Sequence, residues 1–331
     1  MSFRAVAYRP GVLILLDQTR LPTVETYLEL RELEAIAQAI EQLVVRGAPA
    51  IGVAAAYGIA VAAHRGLDLA AADARLRRTR PTAVNLMWAL DRMAQAALVD
   101  PSPQALELEA QRIFDEDAAA CARIGELGAE LVPDGATILT HCNAGALATS
   151  LHGTALAVVR AAHAQKKRIR VYADETRPVL QGARLTAWEL HRDGIDVTVI
   201  PDGAVAHFLG LDVIDLAIVG ADRIAKNGDV ANKIGTRGVA CLCRAHGRPF
   251  YVAAPWSTVD LKKETGAQIP IELRDPQEVT ELKGVALCPP GVPALNPAFD
   301  VTPAAWVTDL ITERGRTGQQ VAQGLARLSG A

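Results

Sequence analysis

The chain has 331 residues, half of them apolar and only 21% charged, which excludes extended disorder and allows a large core spread over two domains. A net charge of −3 with 4% aromatics supplies neither the basic field nor the stacking platforms used by nucleic-acid binders, and no attraction to anionic membrane. Five irregularly spaced cysteines (Cys121, Cys142, Cys241, Cys243, Cys288) fit a reducing cytoplasm rather than a disulfide framework, and no apolar run has the length of a membrane span. The start, MSFRAVAYRP, lacks the long apolar region of a signal peptide. The expectation is a soluble cytoplasmic protein acting on a small molecule.

Residues 4–16 carry two short strand patterns around Arg9-Pro10-Gly11, a predicted hairpin. From Tyr27 to Val45 the pattern is helical and breaks at Gly47. Arg46-Gly47-Ala48-Pro49-Ala50-Ile51-Gly52 then leads into an Ala-rich helix reaching about His64. Small residues at this density mean close helix packing, and beside Arg46 they also leave backbone N–H groups open to an anion. Asp68 to Leu76 is a further helix. Arg77, Arg78 and Arg80 follow and run into Pro81-Thr82, a helix start suited to phosphate, although such a run also reads as a solvated rim. Residues 84–98 and 107–130 are helical. Residues 1–130 therefore read as a smaller, mainly α-helical N-terminal domain with a short β-hairpin or sheet.

The period changes near Val132-Pro133-Asp134-Gly135. Apolar runs at 137–140, 169–173, 196–200, 216–219, 250–254 and 284–287 predict six mainly parallel strands, with helices near 146–165, 183–193, 203–209 and 234–246 between them. Residues 131–331 thus read as a Rossmann-like open parallel sheet domain of the α/β class, with 314–331 as a tail. Lys166-Lys167-Arg168 falls at a helix C-terminus, where positive charge is favourable without any ligand.

Chemistry gathers at the strand ends. Thr140-His141-Cys142-Asn143-Ala144-Gly145 follows the first parallel strand, where helix N–H groups can stabilise a thiolate, although a buried structural cysteine explains the position equally well. Neighbouring His141 and Cys142 point to opposite faces of an extended strand, which weakens a Cys–His couple. Asp174-Glu175-Thr176-Arg177-Pro178 follows the second strand with Gln181 beyond it, and Pro201-Asp202 follows the third and can cap a helix. The stretch Leu216 to Thr236, LAIVGADRIAKNGDVANKIGT, follows an apolar strand with Asp222, Arg223, Asn232 and Lys233. Since the carboxyl ends of parallel strands share one edge, Cys142, Asp174, Gln181 and Asp222 are expected to converge there. No G-x-G-x-x-G follows the first parallel strand, there is no G-x-x-x-x-G-K-[ST] loop, and no cysteine or histidine set has zinc spacing. What remains is an enzyme for a phosphorylated small molecule with no cofactor and no metal.

Eight blocks carry a family resemblance: Leu15-Leu16-Asp17-Gln18-Thr19-Arg20-Leu21-Pro22, Arg46 to Gly52, Arg80-Pro81-Thr82-Ala83-Val84-Asn85-Leu86, His141 to Gly145, Asp174 to Pro178, Gly220-Ala221-Asp222-Arg223-Ile224, Asn227 to Thr236, and Asn296-Pro297-Ala298-Phe299-Asp300-Val301-Thr302-Pro303. In this order they resemble the S-methyl-5-thioribose-1-phosphate isomerases of methionine salvage, within the larger family that includes the α, β and δ subunits of eukaryotic initiation factor 2B. The resemblance implies a homodimer that isomerises 5-methylthio-α-D-ribose 1-phosphate to 5-methylthio-D-ribulose 1-phosphate. It places the catalytic pair on Cys142 and Asp222, and substrate binding on Arg46, Gly47, Ala48, Arg80, Gln181, Asn232 and Lys233. Asp222 is then expected to be the acid, with burial behind the Leu216–Val219 strand raising its pKa, and Cys142 the base or the stabilising group opposite. A ribose 1,5-bisphosphate isomerase and a non-catalytic regulatory subunit are the alternatives. The second would be expected to lose Cys142 or Asp222, and both are present.

Overall fold

The computed structural model describes residues 3–81 and 83–330. Thr82, part of the predicted phosphate-suited helix start, lies outside the described residues, as do Met1, Ser2 and Ala331. The chain divides into two compact units, the first made of the residues up to Gly125 together with Ala144–Ala157, the second of Glu126–Asn143 and Val158–Ala331. The chain thus returns to the first unit for a short excursion that starts two residues after Cys142.

In the first unit β1 (Val6–Arg9), β2 (Val12–Leu16) and β3 (Tyr27–Leu30) form an antiparallel sheet in that order. The hairpin is as expected. Tyr27–Leu30 is a correction: it is the third strand, not the start of a helix, and Leu13 faces Leu30 across the ladder. The alternation of YLEL, with Tyr27 and Glu29 exposed, is the two-residue period of a strand. Helix α1 (Leu33–Glu41) follows, then α2 (Ala48–His64), α3 (Leu69–Arg77), α4 (Val84–Val99) and α5 (Pro103–Ala129), whose last residues belong to the second unit. Asp68 caps α3 by accepting from the amides of Ala70 and Ala71. Every residue of α2 from Ala50 to Ala62 is buried, which its alanines and glycines permit. A Cβ on Gly52 would lie 2.8 Å from the carbonyl oxygen of Asn85, so the beginnings of α2 and α4 touch backbone to backbone.

The second unit is built on a seven-stranded sheet. It contains β4 (Thr137–Thr140), α6 (Ala155–Ala164, which begins in the other unit), β5 (Arg170–Asp174), α7 (Ala187–Arg192), β6 (Val197–Ile200), α8 (Val205–Gly210) and β7 (Leu216–Val219). It continues with β8 (Arg223–Ala225), β9 (Val230–Lys233), α9 (Thr236–Ala245), β10 (Phe250–Ala253), β11 (Val259–Asp260) and α10 (Gln277–Thr280). Then come β12 (Glu281–Leu282), β13 (Val285–Ala286), β14 (Phe299–Thr302), β15 (Asp309–Thr312), β16 (Gly315–Arg316) and α11 (Val321–Ser329). The main sheet runs β16-β15-β10-β7-β4-β5-β6, parallel except for β16. Strands β4, β7 and β10 are buried at every position, the signature of a sheet covered on both faces.

Three expectations are corrected here. The sixth parallel strand is Asp309–Thr312, whereas the 284–287 run contributes only the short β13, with Val285 65% exposed. The 314–331 tail is β16 followed by α11, whose Val321 and Leu325 join the core. The helix expected over 146–165 is interrupted: a 3₁₀ turn at Ala146–Ala148 precedes α6. Where the sequence pattern assigns no element, the residues after Asp222 form a hairpin, β8–β9, in a second small sheet ordered β11-β8-β9-β14.

Candidate active site

The main sheet grows outward in both directions from β4 and β7, which pair in parallel with Leu139 opposite Ala217. The connections therefore reverse between these two strands, and the crevice beyond their carboxyl ends is where open α/β sheets bind ligands. Cys142 lies two residues beyond β4 and Asp222 three beyond β7. Both positions expected from the sequence therefore follow the two strands that flank the reversal.

Cys142 is half-buried and held in a left-handed conformation, φ +64°, which costs a non-glycine residue about 1–3 kcal/mol. Two threonines fix it. Its N–H donates to Thr176 Oγ1 at 2.9 Å and its carbonyl accepts from Thr186 Oγ1 at 2.7 Å. Asn143 donates to Thr186 and to the fully buried Glu189, and Arg160 balances that carboxylate at 2.8 Å. Thr176 is itself left-handed, φ +64°. Its amide and that of Arg177 donate to the two oxygens of Asp202, each at 2.7 Å. Asp202 therefore holds this bend rather than acting as the helix cap expected. Neither threonine was singled out in the sequence, since a hydroxyl beyond a strand has no signature of its own.

His141 lies just beyond the end of β4, and both its ring nitrogens have protein partners. Its Nδ1 lies 2.8 Å from Asp174 Oδ2 and its Nε2 2.8 Å from the carbonyl of Ile234. Burial pushes the Asp174 carboxyl up to about 6, against the pull of His141. Burial also opposes a charged imidazole, but the hydrogen bond and charge of Asp174 outweigh it and raise His141. Among the described residues His141, Asp174 and Asp202 bring donor atoms within 4.8 Å of one another, a possible metal set. Both nitrogens of His141 and both oxygens of Asp202 are already committed to protein partners, so the trio is a hydrogen-bonded frame.

Gln181 follows a tight bend in which Leu180 is left-handed and Gly182 approaches the Asp174 carbonyl so closely that a Cβ would lie 1.6 Å from it. This places Gln181, 7% exposed, with an Oε1 that no protein group satisfies. A buried acceptor of this kind suits a ligand hydroxyl. Asp222 is half-buried, and its amide donates to the Ala231 carbonyl. Burial lowers the pKa of neighbouring Arg223, against the pull of Asp260 and Asp222. In β9, buried Asn232 donates to Thr236 Oγ1 at 3.0 Å, and Lys233 lies 5.0 Å over the ring of Phe299. The second unit thus gathers six of the predicted positions, Cys142, Asp174, Gln181, Asp222, Asn232 and Lys233, on strand-end loops of the main sheet or on the hairpin that continues β7.

The first unit carries Arg46, Gly47, Ala48 and Arg80. Gly47 caps α2 with φ +91°, and a Cβ there would lie 2.5 Å from the backbone of Ala148. Ala48 opens the helix and Pro49 follows it, so the first amides of α2 are free of intrahelical partners. Arg46, half-buried, immediately precedes this cap. Arg80, also half-buried, sits just before α4 and its carbonyl accepts from Ala83 N. Because α2 and α4 touch at Gly52 and Asn85, two arginines precede two adjoining helix starts, an arrangement that favours an anion.

The family model described as Initiation factor 2 subunit family matches residues 44–318. A methylthioribose-1-phosphate isomerase of Anaeromyxobacter dehalogenans is 60% identical over 320 residues, covering 96% of this chain and 94% of that protein. The crystal structure of 5-methylthioribose 1-phosphate isomerase from Pyrococcus horikoshii superposes with a TM-score of 0.94 at 42% identity, covering 99% of this chain and 96% of that one. The structure described as translation initiation factor eIF-2B, subunit delta, from A. fulgidus gives 0.90 at 43% identity, with full coverage of both chains. This chain belongs to the initiation factor 2 subunit family, and over nearly its whole length it is similar to methylthioribose-1-phosphate isomerases.

Proposed function

We propose that the protein isomerises 5-methylthio-α-D-ribose 1-phosphate to 5-methylthio-D-ribulose 1-phosphate in methionine salvage. The observation that carries this reading is the 60% identity to a methylthioribose-1-phosphate isomerase across nearly all of both chains. The presence of Cys142 and Asp222 at the two strand ends flanking the reversal of the sheet supports it. A regulatory subunit would have no use for the pair.

The chemical difficulty is the phosphate on the anomeric carbon, which blocks ordinary opening of an aldose ring. In the proposed mechanism Asp222 gives a proton to the ring oxygen as the bond from that oxygen to C1 breaks, leaving C1 electron-poor. A hydrogen then leaves C2 and one arrives at C1. The C2 hydroxyl loses its proton to become the ketone, and Asp222 regains the proton it gave. Cys142 acts as base on C2 or stabilises the electron-poor carbon from the opposite side. We assign the phosphate to Arg46, Arg80 and Lys233 with the Gly47 and Ala48 backbone, and the sugar hydroxyls to Gln181 and Asn232. The unsatisfied Gln181 Oε1 favours that assignment. The family resemblance further supports a homodimer, for which light scattering on the purified protein is the test, and a cytoplasmic location.

Asp222→Asn is expected to abolish turnover while substrate still binds, measured by calorimetry alongside a coupled assay. Near-normal kcat in that variant would remove Asp222 from the chemistry. Comparing kcat/KM for methylthioribose 1-phosphate and ribose 1,5-bisphosphate separates the two sugar readings. Preference for the bisphosphate would overturn the proposed substrate.

A further inference from the structure

His141 ties the segment after β4 that carries Cys142 to the turn that follows Asn232 and Lys233 of β9. It is 2% exposed, and its two ring nitrogens reach Asp174 Oδ2 and the Ile234 carbonyl, each at 2.8 Å. A carbonyl oxygen only accepts, so Nε2 carries a hydrogen and donates it. One further proton occupies the Nδ1–Oδ2 contact. Whichever atom holds it, the pair is neutral as a unit, which is how a buried site avoids an uncompensated charge.

The turn that His141 reaches is itself shaped for the contact. Gly235 has φ +103°, and a Cβ there would lie 2.8 Å from the imidazole Cε1. Glycine is what lets the ring come up to the neighbouring carbonyl. Asp300 takes the amide hydrogens of Gly235 and Arg237 at 2.8 and 3.0 Å, fixing the turn from its other side. On the strand side the Asp174 carbonyl accepts from Thr176 Oγ1 at 3.0 Å, and that same hydroxyl accepts from Cys142 N. A continuous hydrogen-bonded chain therefore runs from Cys142 through Thr176, Asp174 and His141 to Ile234.

We propose that His141 is a positioning residue that fastens the Lys233–Thr236 turn to the Cys142 strand end, so that one buried imidazole sets the substrate grip and the thiol together. The inference rests on the roles proposed above for Cys142, Asn232 and Lys233.

The two bonds can be separated. His141→Gln can put an amide N–H near the place of Nε2 and keep the Ile234 bond. His141→Asn can put one near Nδ1 and keep the Asp174 bond but falls short of Ile234. If fastening the turn matters, His141→Asn raises KM by about tenfold or more, the worth of one buried hydrogen bond, while His141→Gln stays within about threefold of the parent. Amide exchange of the 233–237 segment, followed by mass spectrometry without substrate, is expected to speed up in the Asn variant and not in the Gln variant. A histidine that only fills space would give both variants the same losses, and equal KM and equal exchange in the two would overturn the proposal. If the parent enzyme fails to turn over methylthioribose 1-phosphate while exchange still separates the variants, the substrate reading falls and the positioning role stands. Should the Asn variant not fold, Gly235→Ala, at an exposed position, pushes the ring from the carbonyl. Unchanged KM and exchange there would equally overturn it.

Discussion

At Cys142 the proposed chemistry and the backbone are one problem. A left-handed non-glycine residue persists only when its surroundings over-determine it, and here Thr176 and Thr186 do so from the two sides of the peptide. Thr186 has a second task, accepting from Asn143. Replacing it by the isosteric valine keeps the shape but leaves the Cys142 carbonyl without this donor, at a cost of about 1–3 kcal/mol. Thr186→Val is therefore expected to lower kcat roughly tenfold or more, with KM little changed, because the thiol loses its orientation rather than the substrate its binding groups. Steady-state kinetics with a thermal melt decide it: an unchanged kcat in a folded variant would mean that Thr186 does not hold the thiol. Its place after a buried strand makes Cys142 a candidate that a structural cysteine explains equally well, and only the family resemblance singles it out. The threonines were not legible, because their function is to bond a backbone brought to them by residues far away in the chain.

At the level of elements the same division between local and distant causes decides what the sequence reveals. The apolar runs of β4, β7 and β10 are unbroken, so they could be read directly. Strand β15 could not, because only two residues of Asp309-Leu310-Ile311-Thr312 are apolar. Its ends are made buriable by a hairpin: Asp309 accepts from the amide of Gly318, and Thr312 donates to the Gly315 carbonyl. The 284–287 run has the better composition for a strand but pairs only with the two-residue β12. Tyr27–Leu30 was lost to a helical reading because its period of two is only four residues long. The glycine before α2 belongs to this scale as well. Gly47→Ala imposes both a strained φ and a Cβ 2.5 Å from Ala148, so either the cap or the Ala146–Ala148 turn shifts. A loss of about 1–3 kcal/mol in stability from the conformation alone, together with a raised KM, is the expected outcome in urea titration and kinetics. A variant with parental stability would mean that the Ala148 backbone yields without cost.

For the whole molecule, the notable assignment is the C-terminal helix, whose sequence reads as a tail and whose residues complete a core. Val321 is 3% exposed and Leu325 fully buried, in the same cluster as Val219 of β7, Val252 of β10 and Leu310 of β15. Val321 also packs on the β8–β9 turn, since a Cβ on Gly228 would lie 2.6 Å from its Cγ1. Gly324 allows the helix to lie against the Thr317 backbone, 2.4 Å from where a Cβ would stand. Thus α11 supports the main sheet and the hairpin that carries Asn232 and Lys233. Leu325→Ala removes a fully buried side chain and is expected to cost about 2–5 kcal/mol, a large part of the roughly 5–15 kcal/mol that holds a typical domain folded. The urea midpoint should fall with an unchanged slope, because the surface exposed on unfolding is nearly the same. Faster amide exchange in the β8–β9 hairpin should accompany it, because that hairpin loses its support. A drop in midpoint with no change at the hairpin would confine α11 to the sheet, and an unchanged midpoint would remove it from the core altogether.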